Sequence, residues 1–112
     1  MNARRSDRQL ASWVYAGNSG IHGQGVFAAR PISRQEYIGT FHGPKSKRDG
    51  TYVLWVEDAH GIYVARRGTN LLRFLNHSRP GNAVFHGFDL FAADTICIGD
   101  ELTIDYGPDF FL

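Results

Sequence analysis

The chain has 112 residues, enough for one domain that buries roughly two-thirds of the surface its unfolded chain would expose. Thirteen glycines, eight phenylalanines and five tyrosines favour short strands joined by tight turns, so a mostly β fold is expected. The single cysteine, Cys97, excludes an internal disulfide framework and a cysteine-rich zinc site. Its isoleucine neighbours favour a small buried apolar residue over a catalytic thiol.

The formal net charge of +1 hides an uneven distribution of charge. Residues 1–88 hold all 12 lysines and arginines and 5 acidic residues, whereas residues 89–112 hold 6 acidic residues and no lysine or arginine. An acidic C-terminal part would attract a basic ligand or peptide, although a solvated acidic surface explains the same pattern. A sequence pI near 8.0 without a basic helix argues against direct binding of nucleic acid.

The polarity of the chain predicts its domain limits. Residues 1–11 are polar and are expected to form a flexible N-terminal tail, followed by one domain over 12–107 and a short apolar tail over 108–112. No segment approaches 18 apolar residues, and no apolar stretch follows the first arginines. This predicts a soluble protein without a membrane anchor, cytoplasmic rather than secreted, with a nuclear or chromatin-associated location as the alternative in a eukaryote.

Short strands are predicted along most of the chain. In order, they cover 13–15, 36–41, 52–56, 62–65, 83–85, 90–92, 95–98 and 101–106, with a further apolar run at 26–29. Four glycines within 17–25 predict a loop whose backbone can approach a ligand closely. Residues 70–75 are the one helical turn that the pattern predicts.

A weak internal repeat joins two of these segments. Phe27-Ala28-Ala29-Arg30-Pro31-Ile32, followed by Glu36, recurs 64 residues later as Phe91-Ala92-Ala93-Asp94-Thr95-Ile96, followed by Asp100. A strand and turn used twice would fit the β prediction. With one pair of copies, chance is the alternative explanation.

A polar cluster at residues 73–82 follows an apolar run and is too polar for an ordinary core strand. It includes Asn76, His77, Ser78 and Asn82. In the last predicted strand, alternation puts Leu102, Ile104 and Tyr106 on one face and Thr103 and Asp105 on the other. We predict that these two segments build one site.

Several other kinds of site are excluded by their surroundings. The stretch Gly23-Gln24-Gly25-Val26-Phe27-Ala28 matches the dinucleotide fingerprint G-x-G-x-x-A, but Pro31 leaves no room for the helix that a Rossmann unit needs. The five histidines have neither helical spacing nor a clustered carboxylate, so no metal site is predicted. No serine lies in a nucleophile-elbow pattern.

Three motifs in order resemble the signature motifs of the SET-domain protein lysine methyltransferases. They are Gly23-x-Gly25 with Phe27-Ala28, Arg73 to Ser78 with Asn82, and Gly99 to Thr103 with Asp105-Tyr106-Gly107. The resemblance extends from about Trp13 to Gly107. It implies the SET-domain (β-clip) fold, with small curled sheets and a C-terminal pseudoknot in which the last segment passes through a loop formed by the preceding stretch.

The same resemblance implies an S-adenosylmethionine-dependent protein lysine N-methyltransferase that acts on a basic, for example histone-like, protein or peptide. Tyr106 is implied to be catalytic, and Tyr52, Tyr106 and Phe110 to contact the substrate lysine. The implied cofactor-binding residues are His22, Gly23, Gln24, Gly25, Phe27, Arg73, Asn76, His77 and Tyr106. For Tyr52, packing against a sheet explains the residue equally well, and Asp100, Glu101 and Asp105 fit turn, structural or groove-edge roles.

The sequence departs from the family pattern at several points. Arg79 replaces a cysteine, Pro80 is shifted by one position, and Phe41 stands where a tyrosine is common. The insert between Tyr63 and Asn70 is minimal, so Phe110 and Phe111, or a second subunit, would have to close the lysine channel. A homodimer or partner-assisted site is therefore predicted; the alternative function is a non-catalytic SET-like binding module.

Overall fold

The computed structural model describes residues 4–105, which form ten strands, one short α-helix and one 3-10 helix. The helices are α1 (Asp7–Leu10) and the 3-10 helix Leu71–Phe74. The strands are β1 (Val14–Asn18), β2 (Gln24–Ala28), β3 (Tyr37–Thr40), β4 (Lys45–Ser46), β5 (Val53–Glu57), β6 (Tyr63–Arg67), β7 (Asn76–His77), β8 (Ala83–His86), β9 (Asp89–Ala92) and β10 (Glu101–Ile104). Within residues 4–105, no helix is long and apolar enough to cross a lipid bilayer.

Two sheets account for all ten strands. The larger sheet has the order β1-β2-β10-β8-β9-β3, with β7 also paired to β10, and the smaller has the order β4-β6-β5. Strand β10 is antiparallel to β2 but parallel to β7 and β8. The prediction of a mostly β fold is confirmed.

The core lies between the curled larger sheet and the segments packed on it. Apolar side chains are buried because removing them from water is the main favourable term in folding. The largest fully buried side chains are Leu10, Val14, Val26, Ile32, Ile38, Leu72, Leu90, Ile96 and Leu102. They come from nearly every part of the described chain, which is consistent with a single core.

The two copies of the sequence repeat meet at equivalent positions. Ile32 and Ile96 exchange both backbone hydrogen bonds, each 2.9 Å long. Strand β2 of the first copy pairs with β10 of the second, and β9 of the second pairs with β3 of the first. We call β1–β3 the N-terminal unit and β8–β10 the C-terminal unit; each unit gives its third strand to the other.

The turn before each third strand is closed in the same way. In the N-terminal unit the Glu36 carboxylate accepts a hydrogen bond from the backbone N–H of Ser33 at 2.9 Å. In the C-terminal unit the Asp100 carboxylate accepts one from the backbone N–H of Cys97 at 3.1 Å. The similarity of the two segments therefore extends from the sequence to single side-chain hydrogen bonds.

Residues 4–11 are folded against the domain, which corrects the predicted flexible tail for this stretch. The α1 helix begins at a capping box, and Leu10 is buried in the core. The Arg5 guanidinium donates to the carbonyl of Ile38 at 2.8 Å and lies 4.1 Å from the centre of the Trp13 ring. Composition could not predict this packing, because only two residues of the segment, Arg5 and Leu10, provide it.

Two strand predictions near the C-terminus are also wrong in part. Residues 95–98 form an isolated bridge at Ile96 instead of a strand, and Cys97 is exposed instead of buried. In β10, Thr103 is buried together with Leu102 and Ile104, so polar and apolar residues do not separate onto two faces. Alternation fails here because β10 lies inside the sheet and is covered on both faces.

Arg66 joins the smaller sheet to the larger one. Its guanidinium donates to the carbonyl of Phe41 at 3.0 Å and lies 4.1 Å from the centre of the Phe88 ring. Burial lowers the pKa of Arg66 and Arg4 lowers it further, whereas Asp89 opposes both effects. An arginine remains protonated under such a shift, so the charge is kept at the junction of the sheets.

Candidate cofactor and substrate site

Glu101, the first residue of β10, ties the glycine-rich loop to the centre of the larger sheet. Both oxygens of its carboxylate accept from the hydroxyl of Ser19 at 2.8 Å, and Oε2 also accepts from the side-chain amide of Asn76 at 3.0 Å. Gly25 is buried beneath this contact, and a Cβ atom there would collide with the carboxylate. The second glycine of the Gly23-x-Gly25 motif therefore makes room for the carboxylate.

Asn76 fixes the path of the loop from the other side. Its amide nitrogen lies 3.0 Å from the carbonyl oxygen of His22 and 3.0 Å from that of Gln24, in addition to Glu101. Asn76 is held opposite Thr103 by the pairing of β7 with β10. The structure thus brings the polar cluster and the last strand together, as the sequence predicted.

The segment between β7 and β8 holds β10 closely. The Asn82 side chain donates to the carbonyl of Glu101 and accepts from the backbone N–H of Thr103, both at 2.8 Å. A Cβ atom at Gly81 would lie 2.7 Å from the backbone nitrogen of Asp105. These contacts are what the predicted pseudoknot requires, and they explain the glycine in the irregular Arg79-Pro80-Gly81 stretch.

The glycine-rich loop leaves open surface beside these contacts. Built Cβ atoms at Gly20 and Gly23 meet nothing within 4 Å, and Gly23 has a positive φ of 46°. Next to the loop, the rings of Tyr15 and Phe27 stack with their centres 5.7 Å apart. Since Phe27 is paired with Glu101, both side chains lie on the same face of the sheet. We call this loop and face the cofactor face.

A second group of residues surrounds Tyr52. The Tyr52 ring packs edge-on against Phe74, with ring centres 5.7 Å apart, and the Arg73 guanidinium lies 4.1 Å from the Phe74 centre. Tyr52 is 42% exposed, so it is not an ordinary core aromatic residue. A cavity of about 40 Å³ opens here, lined by Phe41, Thr51, Tyr52, Val53, Leu54, Leu72, Arg73, Leu75, Phe85 and Ile104.

Most of the predicted cofactor residues lie together, but one does not. The group formed on the cofactor face comprises His22, Gly23, Gln24, Gly25, Phe27 and Asn76, and His77 follows Asn76 in β7 beside Ile104. Arg73 instead donates to the carbonyls of Thr69 and Asn70 and faces the Tyr52 group. Tyr106 and Phe110 lie outside the described residues.

The structure adds two residues that the sequence interpretation missed. Ser19 had no distinguishing signal, because a serine in a glycine-rich loop is common. Glu101 was interpreted as a turn, structural or groove-edge carboxylate, and its link between the loop and Asn76 was not foreseen. Among residues 4–105, no group of three histidine, cysteine or acidic side chains is placed to hold a metal ion.

Comparisons with known proteins identify the family. The family model of the SET domain matches residues 23–107, so the chain belongs to the SET-domain family. It is 29% identical over 119 residues to the histone-lysine N-methyltransferase MEDEA of Arabidopsis thaliana, covering 86% of this chain and 17% of that protein. It is 30% identical over 129 residues to histone-lysine N-methyltransferase 2D of Homo sapiens, covering 96% of this chain and 2% of that protein.

Solved structures confirm the fold. The methyltransferase domain of the human histone-lysine N-methyltransferase SETMAR superposes with a TM-score of 0.72 at 21% sequence identity, covering 88% of this chain and 45% of that chain. The fold prediction is therefore correct. The chain spans less than a fifth of the length of the two curated relatives.

Proposed function

We propose that this chain is an S-adenosylmethionine-dependent protein lysine N-methyltransferase. The observation that carries the proposal is the connection of the glycine-rich loop, Asn76 and Glu101 into one face at the start of β10, while Ile104 at the end of the same strand lines the Tyr52 cavity. A transfer between two bound molecules needs such a pair of adjoining sites, because its rate depends mainly on positioning. The printed names of the relatives, histone-lysine N-methyltransferases, support the same activity.

The cofactor face has features that fit S-adenosylmethionine. The open backbone at Gly20 and Gly23 lets a ligand approach the loop, and Asn76 holds the carbonyls of His22 and Gln24 in place. The stacked Tyr15 and Phe27 rings offer a flat apolar surface of the kind on which a purine can pack. When bound, the cofactor supplies a methyl group that its sulfonium makes electrophilic.

The Tyr52 cavity has features that fit a lysine side chain. A lysine amine with a free pKa near ~10.4 is mostly protonated at neutral pH and must lose its proton before it can act as a nucleophile. The apolar walls formed by Phe41, Leu75 and Phe85 disfavour the charged ammonium. The Arg73 guanidinium, 5.9 Å from the centre of the Tyr52 ring, disfavours it further because the two charges are alike.

The size of the cavity supports the proposal of a partner-assisted channel. Its volume is only about 40 Å³, whereas a lysine side chain has a four-carbon stem to enclose. We propose that Phe110 and Phe111, or a second copy of the chain, supply the remaining wall of the lysine channel. Sedimentation and activity measured over the same concentration range test this, and full activity in a strictly monomeric sample would contradict the homodimer.

Two measurements test the proposed activity separately. Calorimetry with S-adenosylmethionine measures binding to the cofactor face, and incubation with methyl-labelled cofactor, histones and basic extract proteins measures transfer. We expect saturable binding and label on lysine, identified by mass spectrometry of the product. Binding without any labelled lysine at any accessible pH would instead support the non-catalytic binding module.

A further inference from the structure

A basic cleft opens next to the Tyr52 cavity, on the smaller sheet. Its volume is about 620 Å³, and its lining residues are Lys45, Ser46, Lys47, Arg48, Asp49, Gly50, Thr51, Tyr52, Val53 and Arg67. The lining includes four cationic side chains and one acidic one. We call it the basic cleft.

The backbone that carries these cations is well tied down. The hydroxyl of Ser46 donates to the carbonyl of Arg48 at 2.7 Å and accepts from its backbone N–H at 3.2 Å, which closes the turn after β4. The backbone N–H of Arg67 donates to the carbonyl of Pro44 at 3.0 Å, and the backbone N–H of Gly68 donates to the backbone carbonyl of Tyr52 at 2.7 Å. The loop is therefore held against the end of β6, and the cleft between them is part of the fold.

The cations of the cleft are not neutralised within the part of the chain that the structure describes. Lys45, Lys47, Arg48 and Arg67 are all exposed, and none of them forms an ion pair with another residue between 4 and 105. Arg66, the neighbour of Arg67 in β6, points the other way and packs on Phe88. Like charges gathered around one cleft repel each other unless an anion is bound there, and they raise the local concentration of anions.

The basic cleft and the Tyr52 cavity share a wall. Thr51, Tyr52 and Val53 line both of them. If a substrate lysine enters the cavity beside Tyr52, the neighbouring residues of the same peptide pass over the basic cleft. A basic flanking residue would be repelled there, whereas an acidic or phosphorylated one would be attracted.

We propose that the basic cleft binds an acidic or phosphorylated side chain of the substrate, close in sequence to the lysine that is methylated. This inference rests on the proposed methyltransferase function and narrows its substrate class, away from the uniformly basic peptide that the sequence suggested. A phosphoserine brings about −1.5 to −2 charges at pH 7 and three acceptor oxygens, and arginine and lysine bind such groups through charge-assisted hydrogen bonds.

A peptide anion fits this cleft better than a nucleic acid does. Duplex DNA carries one charge per ~1.7 Å along its axis, so its partners present extended basic faces. Here the cations belong to one turn and the end of one strand. On the same sheet, exposed Trp55 and Tyr63 lie beyond the cleft and continue the surface without basic charge. DNA is therefore included in the test as a competitor and not as the expected ligand.

The test compares matched peptides and matched variants of the whole chain. Three fluorescent peptides share one lysine and differ in the flanking residue, which is phosphoserine, serine or lysine; their binding is measured by anisotropy at low and high salt. The variants are Lys47→Glu with Arg48→Glu, and separately Arg67→Gln. The control is Arg34→Glu, an exposed arginine on the turn before β3 that is outside the cleft. Thermal melts establish that each variant is folded.

The proposal predicts that the phosphoserine peptide binds at least about tenfold more tightly than the lysine peptide at low salt, with the difference shrinking as salt screens the charges. The double variant should abolish this preference, Arg67→Gln should reduce it about threefold as a single lost contact, and Arg34→Glu should retain it. Equal binding of the peptides, an unchanged preference in both cleft variants, or displacement of the peptide by duplex DNA at lower concentration would overturn the proposal.

Methyl transfer to the same peptides separates this inference from the proposed function. Preferential binding of the phosphoserine peptide without labelling of its lysine would support the anion site in the basic cleft and contradict the proposed methyltransferase activity. Labelling of all three peptides with equal kcat/KM would support the methyltransferase activity and contradict the role of the basic cleft in substrate choice.

Discussion

The N-terminal unit joins its first two strands through the five-residue loop 19–23, whereas the C-terminal unit joins them through the two-residue turn 87–88. The third strands differ as well, because β3 lies at the edge of the larger sheet and β10 lies inside it, paired with β2, β7 and β8. The candidate site lies where the loop of one unit meets the third strand of the other. At the equivalent place, the turn 87–88 lies directly against the chain after β3, because the backbone N–H of Phe41 donates a hydrogen bond to the carbonyl of Phe88 at 2.8 Å. Of the two equivalent places, the candidate site is therefore the one that combines the open loop of the N-terminal unit with the enclosed third strand of the C-terminal unit.

The largest expected difference between the units concerns the second residue after each third strand. Tyr106 in the C-terminal unit corresponds, at the 64-residue spacing, to His42 in the N-terminal unit. If Tyr106 orients the lysine amine, Tyr106→Phe should lower kcat by about 100-fold, as losing one oriented hydrogen bond in a transition state does. The control His42→Ala should retain full activity, measured as labelled lysine formed per minute. A Tyr106→Phe protein with undiminished kcat would remove this residue from the mechanism.

The enclosure of β10 gives the second prediction. Gly81→Ala should lower the free energy of unfolding by about 2–3 kcal/mol, because its Cβ atom would press on the backbone of residues 103–105, which cannot move aside easily. Gly20→Ala is the matched change in the open loop and should alter stability by less than about 0.5 kcal/mol. Urea unfolding of both variants makes the comparison. Similar values for the two would mean that β10 is not tightly held.

Glu101 and Tyr37 occupy equivalent places at the starts of the two third strands. Substitutions at these two positions separate a loss of cofactor binding from a loss of stability. Glu101→Gln removes the charge and one of the two oxygens that accept from Ser19 and Asn76, which weakens the hold on the loop, so the Kd for S-adenosylmethionine should rise about tenfold, equal to 1.4 kcal/mol. Tyr37→Phe breaks the 2.6 Å bond to Thr40 and should cost about 1 kcal/mol of stability. Calorimetry should find cofactor affinity unchanged in Tyr37→Phe; equal weakening in both would show a general loss of fold.

The smallest effects are expected at the turns that precede the third strands. Gln35 and Gly99 are equivalent, and both have positive φ, 72° and 85°. Gly99→Ala should destabilise the protein by about 1 kcal/mol because a side chain strains this conformation. Gln35→Gly should be stabilising by roughly 0.5 kcal/mol, since relief of strain exceeds the added entropy of the unfolded chain. Thermal melting of the two variants should shift Tm in opposite directions, and shifts of the same sign would contradict this.

Local pattern predicted much of this structure. The strands at 52–56 and 83–85 were predicted within one or two residues because alternating or β-branched runs bounded by turn residues carry a local signal. The polarity of residues 73–82 and the alternation in the last strand predicted that these two segments lie together. Nothing local showed that the two repeats exchange strands, because that exchange depends on which distant strand completes each sheet.

Features that depend on contacts between distant parts of the chain were missed as well, because local sequence does not encode them. Burial of Thr103, exposure of Cys97 and the anchoring of Leu10 are set by neighbours far along the chain. The basic cleft was not predicted, because the sequence does not show that Arg67 lies beside the turn at 45–50. Single residues such as Ser19 gain a role only when Glu101, distant in sequence, is placed beside them.

The exchange of third strands has a consequence for how the chain acquires its fold. Val26 pairs with Leu102 and Tyr37 pairs with Phe91, so neither unit has a complete sheet until residues from both ends of the domain are present. Folds that depend on such distant pairings form slowly, typically in milliseconds to seconds, because loop closure must precede the contacts that reward it. A chain cut in the exposed hairpin turn at 58–61 would give two halves that each lack a strand and must find each other. The candidate site would then form only on reassembly, at a rate set by the concentration of the fragments.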